Sequence, residues 1–319
     1  MKISILIPVR QDNEYLRECI EKCLQLDYPH FEIIVLPDTS IELSYGDTLR
    51  VIPTGAVGPA QKRDMAIQHL RGDIVAFLDD DTFPASDWLS KARDNFTADE
   101  EVAAVCGPAV TPETDTVWQK ASGLIYSSLL VSGAHRRRYI SATRCEVDDY
   151  PSCNFLVRTD VFKKIGGFDT RYWPGEDTVL CLKIIKDLKK KIVYDPQVIV
   201  YHHRRPLFLP HLKQIKSYAL HRGYFVKRFP DTSLRIEYFI PTMFVSGIVA
   251  GGMAAIFVPL LKVPYAVVTG FYALLVLFSA LRHKGLKLRY LAFLGILLTH
   301  MTYGIFFVKG LFINRLAEE

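Results

Sequence analysis

Short, mostly apolar runs punctuate the first part of this chain. They fall at 3–8, 31–36, 49–52 and 74–78, and each is short enough and bounded sharply enough to read as a buried strand. Between them the period lengthens. Leu16, Ile20, Cys23 and Leu24 place an apolar stripe on a helix over 14–26, and 61–70 reads as a second helix. Strands that alternate with helices predict an α/β fold, a mostly parallel sheet with helices on its faces and right-handed crossovers.

Further on, the pattern loses its polar face. The runs 239–261 and 263–281 contain no charged residue, and 290–308 carries only His300. Each is long enough to cross a hydrocarbon core of about 30 Å as a helix. The chain therefore divides into 1–230 and a membrane domain, 231–319, with three transmembrane helices. The link Arg282-His-Lys-Gly-Leu-Lys-Leu-Arg289 is basic, whereas the link between the first two runs offers only Lys262. By the positive-inside rule the basic link, and with it residues 1–235, faces the cytoplasm. The expectation is an integral protein of the plasma (inner) membrane with a cytoplasmic catalytic domain. The stretch 206–235, basic and aromatic by turns, is expected to lie against anionic membrane lipid.

Composition narrows the chemistry. A net charge of +5 over 319 residues is too small to argue for nucleic acid, and none is expected as a partner. The six cysteines form no Cys-x-x-Cys pair, which argues against a zinc site and for a reduced compartment. No Gly-x-Gly-x-x-Gly follows a strand and no Gly-Lys-Ser/Thr loop occurs, which disfavours a dinucleotide domain and excludes a P-loop NTPase.

Candidate chemistry gathers where strands end. The run 74–78 stops in Asp79, Asp80 and Asp81. In open α/β sheets ligands sit beyond the carboxyl ends of strands. Clustered carboxylates repel unless a cation neutralises them, and hard divalent ions take such oxygens together with phosphates. An acidic turn capping the helix that starts near Asp87 is the plainer alternative. Asp38 ends the second strand on the same rim, as a turn residue or as an acceptor for a base or ribose. Arg63 either faces phosphate or is a solvated helix residue. Glu176 and Asp177 open a helix, where acids favour the dipole and where one can also serve as a general base.

Taken together, Ser4-Ile-Leu-Ile-Pro-Val9, Glu32-Ile-Ile-Val-Leu-Pro-Asp38, Arg63-Asp64, Phe77-Leu-Asp-Asp-Asp81, Gly166-Gly-Phe-Asp169 and Gly175-Glu-Asp177 resemble the family 2 glycosyltransferases. The resemblance covers roughly residues 1–230 and implies the GT-A nucleotide-sugar-binding fold. It implies that Asp38 receives the nucleotide base, with Pro8, Val9, Arg63, Asp79, Asp80 and Arg222 on the donor side. Asp79 and Asp81 match the ends of an Asp-x-Asp motif. Asp81 is the expected direct ligand of Mn²⁺ or Mg²⁺, and His202 is either a further ligand or an ordinary surface histidine. Asp177 matches the catalytic base, supported by Glu176. The implied reaction is an inverting, metal-dependent transfer from a nucleoside diphosphate sugar to a hydroxyl of a lipid-linked or cell-envelope glycan acceptor. The segment 108–150 is expected to build the acceptor side, with His135-Arg-Arg-Arg138 gripping a phosphorylated acceptor or forming a solvated loop.

The chain departs from the family pattern twice. Pro37 stands where an aspartate usually precedes Asp38. Ala219-Leu-His-Arg-Gly223 replaces the Gln-x-x-Arg-Trp of processive synthases, which together with only three spans favours single-sugar addition. The rival readings are a processive polysaccharide synthase, a sugar-phosphate nucleotidyltransferase, whose Gly-rich Arg loop is missing after the first strand, and a non-catalytic membrane scaffold.

Overall fold

A computed structural model describes residues 1–318. In chain order its elements begin with β1 (Ile3–Pro8), α1 (Glu14–Leu24), β2 (Phe31–Leu36), β3 (Leu49–Val51) and α2 (Pro59–Met65). Next come β4 (Ile74–Phe77), β5 (Thr82–Pro84), α3 (Trp88–Ala98), β6 (Val102–Cys106), β7 (Ala109–Val110), α4 (Val117–Ser127) and α5 (Leu129–Ser132). They are followed by β8 (Cys145–Glu146), β9 (Phe155–Arg158), α6 (Thr159–Lys164), α7 (Glu176–Leu182), β10 (Lys191–Tyr194) and β11 (Val200–His202). The remainder is helical: α8 (Leu209–Arg228), α9 (Pro230–Ser233), α10 (Ile236–Phe257), α11 (Lys262–Leu281) and α12 (Leu286–Phe312).

These elements form two compact units, one built mainly from Met1–Val110 and Arg137–His203, the other from Thr111–Arg136 and Arg204–Ala317. The division follows contacts in space, so it interleaves along the chain where the expected division at residue 230 does not.

In the first unit one mixed sheet runs β3-β2-β1-β4-β9-β6-β10-β8. β1 is central and parallel to both neighbours, with Ile3 opposite Phe31 on one side and Ile74 on the other. All six of its residues are buried. Ile3, Ile5 and Ile7 join the cluster under α1 and α3, while Leu6 joins the opposite cluster with Phe77 and Phe162. A strand covered on both faces needs no polar alternation, hence the continuous apolar run. α1 starts at Asn13, whose Oδ1 accepts from the Leu16 amide at 2.9 Å, and buries Leu16, Cys19, Ile20 and Cys23 as one stripe.

The parallel order is interrupted by β9, which lies antiparallel between β4 and β6. A second, three-stranded sheet has the order β5-β11-β7, and its register sets His202 opposite Thr82. That pairing carries a residue from late in the chain to the end of the acid triplet.

In the second unit α10, α11 and α12 are long and apolar enough to cross a membrane. They fall on the three expected runs, although α10 runs from Ile236 only to Phe257, short of residue 261, and α12 extends from Leu286 to Phe312. Large apolar side chains on α11 stand open, among them Val263, Phe271 and Phe278. Such surface is unfavourable against water and neutral against lipid tails.

Two further contacts hold this unit. His211 of α8 is buried, with Nδ1 2.6 Å from Ser122 Oγ on α4 and Nε2 3.0 Å from Thr299 Oγ1 on α12. Burial pushes its pKa down to about 4, so near neutral pH it is an uncharged imidazole between two hydroxyls. The second contact is a close crossing of α8 and α12. A Cβ on Gly223 would lie 2.2 Å from the Phe307 carbonyl oxygen, and one on Gly310 would lie 2.2 Å from that of Leu220. Only glycine lets these backbones meet.

Gly310→Leu is therefore expected to lower stability by about 1–3 kcal/mol, the usual cost of overpacking. Thermal unfolding in detergent reads this directly, and an unshifted midpoint would show that the crossing tolerates side chains.

Candidate active site

β4 ends at Phe77, and the chain then folds into a tight turn in which Thr82 donates to the Asp79 carbonyl from both its amide, at 3.1 Å, and its hydroxyl, at 2.8 Å. This turn and the β5–β11 pairing bring one ligand atom each of Asp79, Asp81 and His202 within 4.8 Å of one another. His202 Nε2 stands 3.2 Å from Asp81 Oδ1. All three side chains are partly open. Two carboxylates and an imidazole suit a small divalent ion such as Mn²⁺.

Asp80 is outside this set, and its Oδ2 accepts from Asn13 Nδ2 at 2.8 Å. Burial, then the charge of Asp81, push its pKa up to about 6, so the triplet is electrostatically crowded without a cation. The next residue along β11's exit, His203, donates its amide to the Asp81 carbonyl at 3.0 Å and sets Nε2 2.9 Å from Glu18 Oε2 on α1.

Three consecutive residues of α2 reach three parts of the site. Successive helical side chains point about 100° apart, so a short helix can serve several partners at once. Lys62 Nζ lies 2.6 Å from Asp38 Oδ1. Arg63 is fully enclosed and pairs with Asp79 at 2.7 Å, donates to Ser152 Oγ at 3.0 Å, and stands 4.0 Å from Glu176 Oε1. Its guanidinium also lies over Phe77 and Phe168. Asp64 accepts from the amides of Phe168 at 2.8 Å and Asp169 at 2.9 Å. It thereby clamps the Gly166–Asp169 turn, where Gly167 has φ +79° and a Cβ would fall 2.2 Å from Asp64 Oδ1.

The acid pair opens α7. Glu176 is buried, and its Oε2 accepts from the Gly175 amide at 3.0 Å. Burial, then the neighbouring charge of Asp177, drive its pKa up to about 8 against the opposing pull of Arg63. Asp177 Oδ1 accepts from the Thr178 amide at 2.8 Å. Behind it Thr178 Oγ1 donates to Asp149 Oδ1 at 3.0 Å, and Arg138 donates to the Asp149 carbonyl at 2.9 Å. The last arginine of the basic triplet thus braces the acid pair.

The structure brings Asp38, Asp79, Asp81, His202 and Glu176–Asp177 into the first unit, with Arg63 between the acid triplet and the acid pair. Pro8 and Val9 are buried at the end of β1. Arg222 belongs to the second unit, where Nη1 donates to Ser233 Oγ at 3.1 Å and the guanidinium lies 4.6 Å from the Tyr238 ring centre. Reading the sequence assigned no role to Asn13, Lys62, Asp149 or Ser152. At the site each acts through a partner distant in sequence, so that role has no local signature, even though Asn13 is legible as the cap of α1. Asp64, read only as part of a motif, turns out to bind the glycine turn.

Comparison with known proteins agrees with this architecture. Residues 4–166 match the glycosyl transferase family 2 model. A glycosyltransferase of Haemophilus influenzae is 34% identical over 206 residues, covering 61% of this chain and 76% of that protein. The glucosyl-dolichyl phosphate glucuronosyltransferase of Haloferax volcanii is 23% identical over 220 residues, 63% of this chain and 69% of that protein. The pre-mycofactocin glycosyltransferase of Mycobacterium tuberculosis is 26% identical over 211 residues, 64% of this chain but only 43% of its own length. A mannosyltransferase from Pyrobaculum calidifontis, solved with GDP-Man and Mn²⁺, superposes with a TM-score of 0.65 at 19% identity, over 98% of this chain and 88% of its own. The fold is thus GT-A-like, that of a sugar-transferring enzyme. The chain belongs to glycosyl transferase family 2.

The raised pKa of Glu176 gives a stability signature in the absence of donor and divalent ion. An unfolded glutamate ionises near 4.5 and the folded one near 8, so the folded chain holds an extra proton between them. Its stabilisation is full below pH 4.5 and is lost as pH rises through about 8. Glu176→Gln should flatten that decline in melts recorded from pH 5 to 9. A pH profile identical to wild type would mean that Glu176 is ionised in the fold.

Proposed function

We propose that this enzyme transfers one sugar, with inversion, from a nucleoside diphosphate sugar to a hydroxyl of a lipid-linked or envelope glycan acceptor. The observation that carries the reading is the pair of contacts made by buried Arg63, to Asp79 on one side and towards Glu176 on the other. A cation-binding set and a helix-opening acid pair, far apart in sequence, therefore share one site.

In this reading Asp81, Asp79 and His202 hold Mn²⁺ or Mg²⁺, which when bound offsets charge on the departing diphosphate. Asp38 receives the base, with Pro8 and Val9 lining the donor side through their backbone. Arg63 acts on the donor by fixing Asp79, since no part of it is exposed. Asp177 takes the proton of the acceptor hydroxyl as its oxygen bonds to the anomeric carbon, and the bond from that carbon to the diphosphate breaks. Glu176, held as a neutral acid, leaves the base role to Asp177. Arg222 is assigned to the donor side by its place in the sequence alone.

We assign residues 1–230 to the cytoplasm and 231–319 to the plasma (inner) membrane, with the basic link 282–289 as the orienting feature. Three apolar helices support an acceptor that is itself membrane-bound. The name of the Haloferax relative specifies a glucosyl-dolichyl phosphate, which supports a lipid phosphate carrier. The fold neighbour's GDP-Man and Mn²⁺ are of the donor and ion class proposed.

Asp177→Asn is expected to keep donor binding and lose transfer by at least about 10²-fold, the size of a lost acid–base group. Release of nucleoside diphosphate from a donor panel measures it, and near-normal turnover would remove Asp177 from the base role. Asp81→Ala should abolish the Mn²⁺-dependent part of donor binding in calorimetry. Donor affinity that still responds to Mn²⁺ would move the ion elsewhere.

A further inference from the structure

Lys62 is a charged side chain that the proposed chemistry does not use, and it is only 3% exposed. A lysine near a diphosphate site invites the reading of a phosphate ligand. Its contacts argue otherwise. An ammonium has three N–H donors. Two are donated, to Thr54 Oγ1 at 2.8 Å and to the Gly55 carbonyl at 3.1 Å, and the charge is paired with Asp38 Oδ1 at 2.6 Å. The Thr54 hydroxyl, having accepted from Lys62, donates to the Pro37 carbonyl at 3.0 Å, so it too is fixed.

The backbone around Asp38 is held as firmly. Its amide donates to the Arg10 carbonyl at 3.1 Å, its carbonyl accepts from Gly55 at 3.0 Å, and the Thr54 amide donates to the Pro37 carbonyl at 2.9 Å. Within this frame Asp38 Oδ1 is buried while the side chain as a whole keeps 25% of its exposure. One oxygen thus faces the Lys62 ammonium as an ion pair, and the other remains for a ligand. Pro37 contributes only a carbonyl to this arrangement, so the aspartate missing from that position is not needed to orient Asp38.

We propose that Lys62, with Thr54, is a positioning residue for nucleobase recognition. It pairs with the Asp38 carboxylate, fixes its rotamer and turns Oδ2 towards the base, and so sets the affinity for the nucleoside part of the donor without touching the donor. This rests on the donor reading above, in which Asp38 meets the base. A carboxylate without the cation would lose both its charge partner and its orientation, and an unfixed acceptor contributes less to binding because it must be ordered on contact.

The test compares full-length wild type with Lys62→Met in detergent with Mn²⁺, measuring affinity for UDP, GDP, CDP and ADP and for inorganic pyrophosphate. The ratio of nucleoside diphosphate to pyrophosphate affinity isolates what the base and ribose add. In wild type at least one nucleoside diphosphate should exceed pyrophosphate by about 10-fold or more. In Lys62→Met that advantage should shrink by about 10-fold, while pyrophosphate affinity stays within about twofold, and KM for the donor should rise far more than kcat falls. Thr54→Val, which keeps the ion pair and removes one acceptor, should shift the same ratio in the same direction by a smaller factor, and decides the matter if Lys62→Met does not fold. An undiminished base advantage in the variants overturns the role of Lys62 and leaves the donor reading intact. Absence of any base advantage in wild type overturns both.

Discussion

One buried cation organises the catalytic unit. Arg63 has no exposed surface, so its charge is tolerable only because Asp79 lies 2.7 Å away, Ser152 accepts a hydrogen bond and two aromatic faces lie against it. Removing one partner of a buried pair costs about 3–5 kcal/mol, so the arrangement resists change. Because α2 is short and rigidly placed, fixing Arg63 also fixes its neighbours. Lys62 is set on Asp38 and Asp64 on the glycine turn. A single helical turn therefore sets the spacing of the three acidic groups assigned to the proposed chemistry.

Electrostatics at the site follow from that crowding. Asp79, Asp80 and Asp81 are adjacent, and Asp79 is paired to Arg63. The rest of the negative charge is relieved by Asn13 at Asp80, by the imidazole beside Asp81, and by partial protonation as the pKa of Asp80 rises. Such a site gains most from a cation. The acid pair shows the opposite solution. Glu176 is buried and held neutral, which spares the fold a second charge beside Asp177. Two adjacent carboxyl groups in different surroundings can then take different parts.

The second unit follows a different logic. Its helices are held by small residues and by hydroxyl–imidazole contacts. The backbones of α8 and α12 touch at Gly223 and Gly310, and His211 is shared between Ser122 and Thr299. Where burial against lipid brings no hydrophobic gain, close backbone packing and satisfied polar groups do the work of cohesion.

The sequence alone determined the strand–helix alternation, the three apolar spans and the residues from Asp38 to Asp177 that mark the family, because continuous apolar runs and strand-end acids are local patterns. It did not disclose the antiparallel insertion of β9, since Phe155–Arg158 is as apolar as a parallel strand and direction leaves no mark on composition. Nor did it separate a solvated Arg63 from a buried one, or show that Arg138 braces Asp149 rather than standing in solvent. Only the tertiary structure decided these, along with the pairing of Lys62 to Asp38 and of His202 to Asp81. The physical reason is common to all of them. The environment of a charge is set by which distant segments close around it, and residue type or spacing along the chain does not encode that.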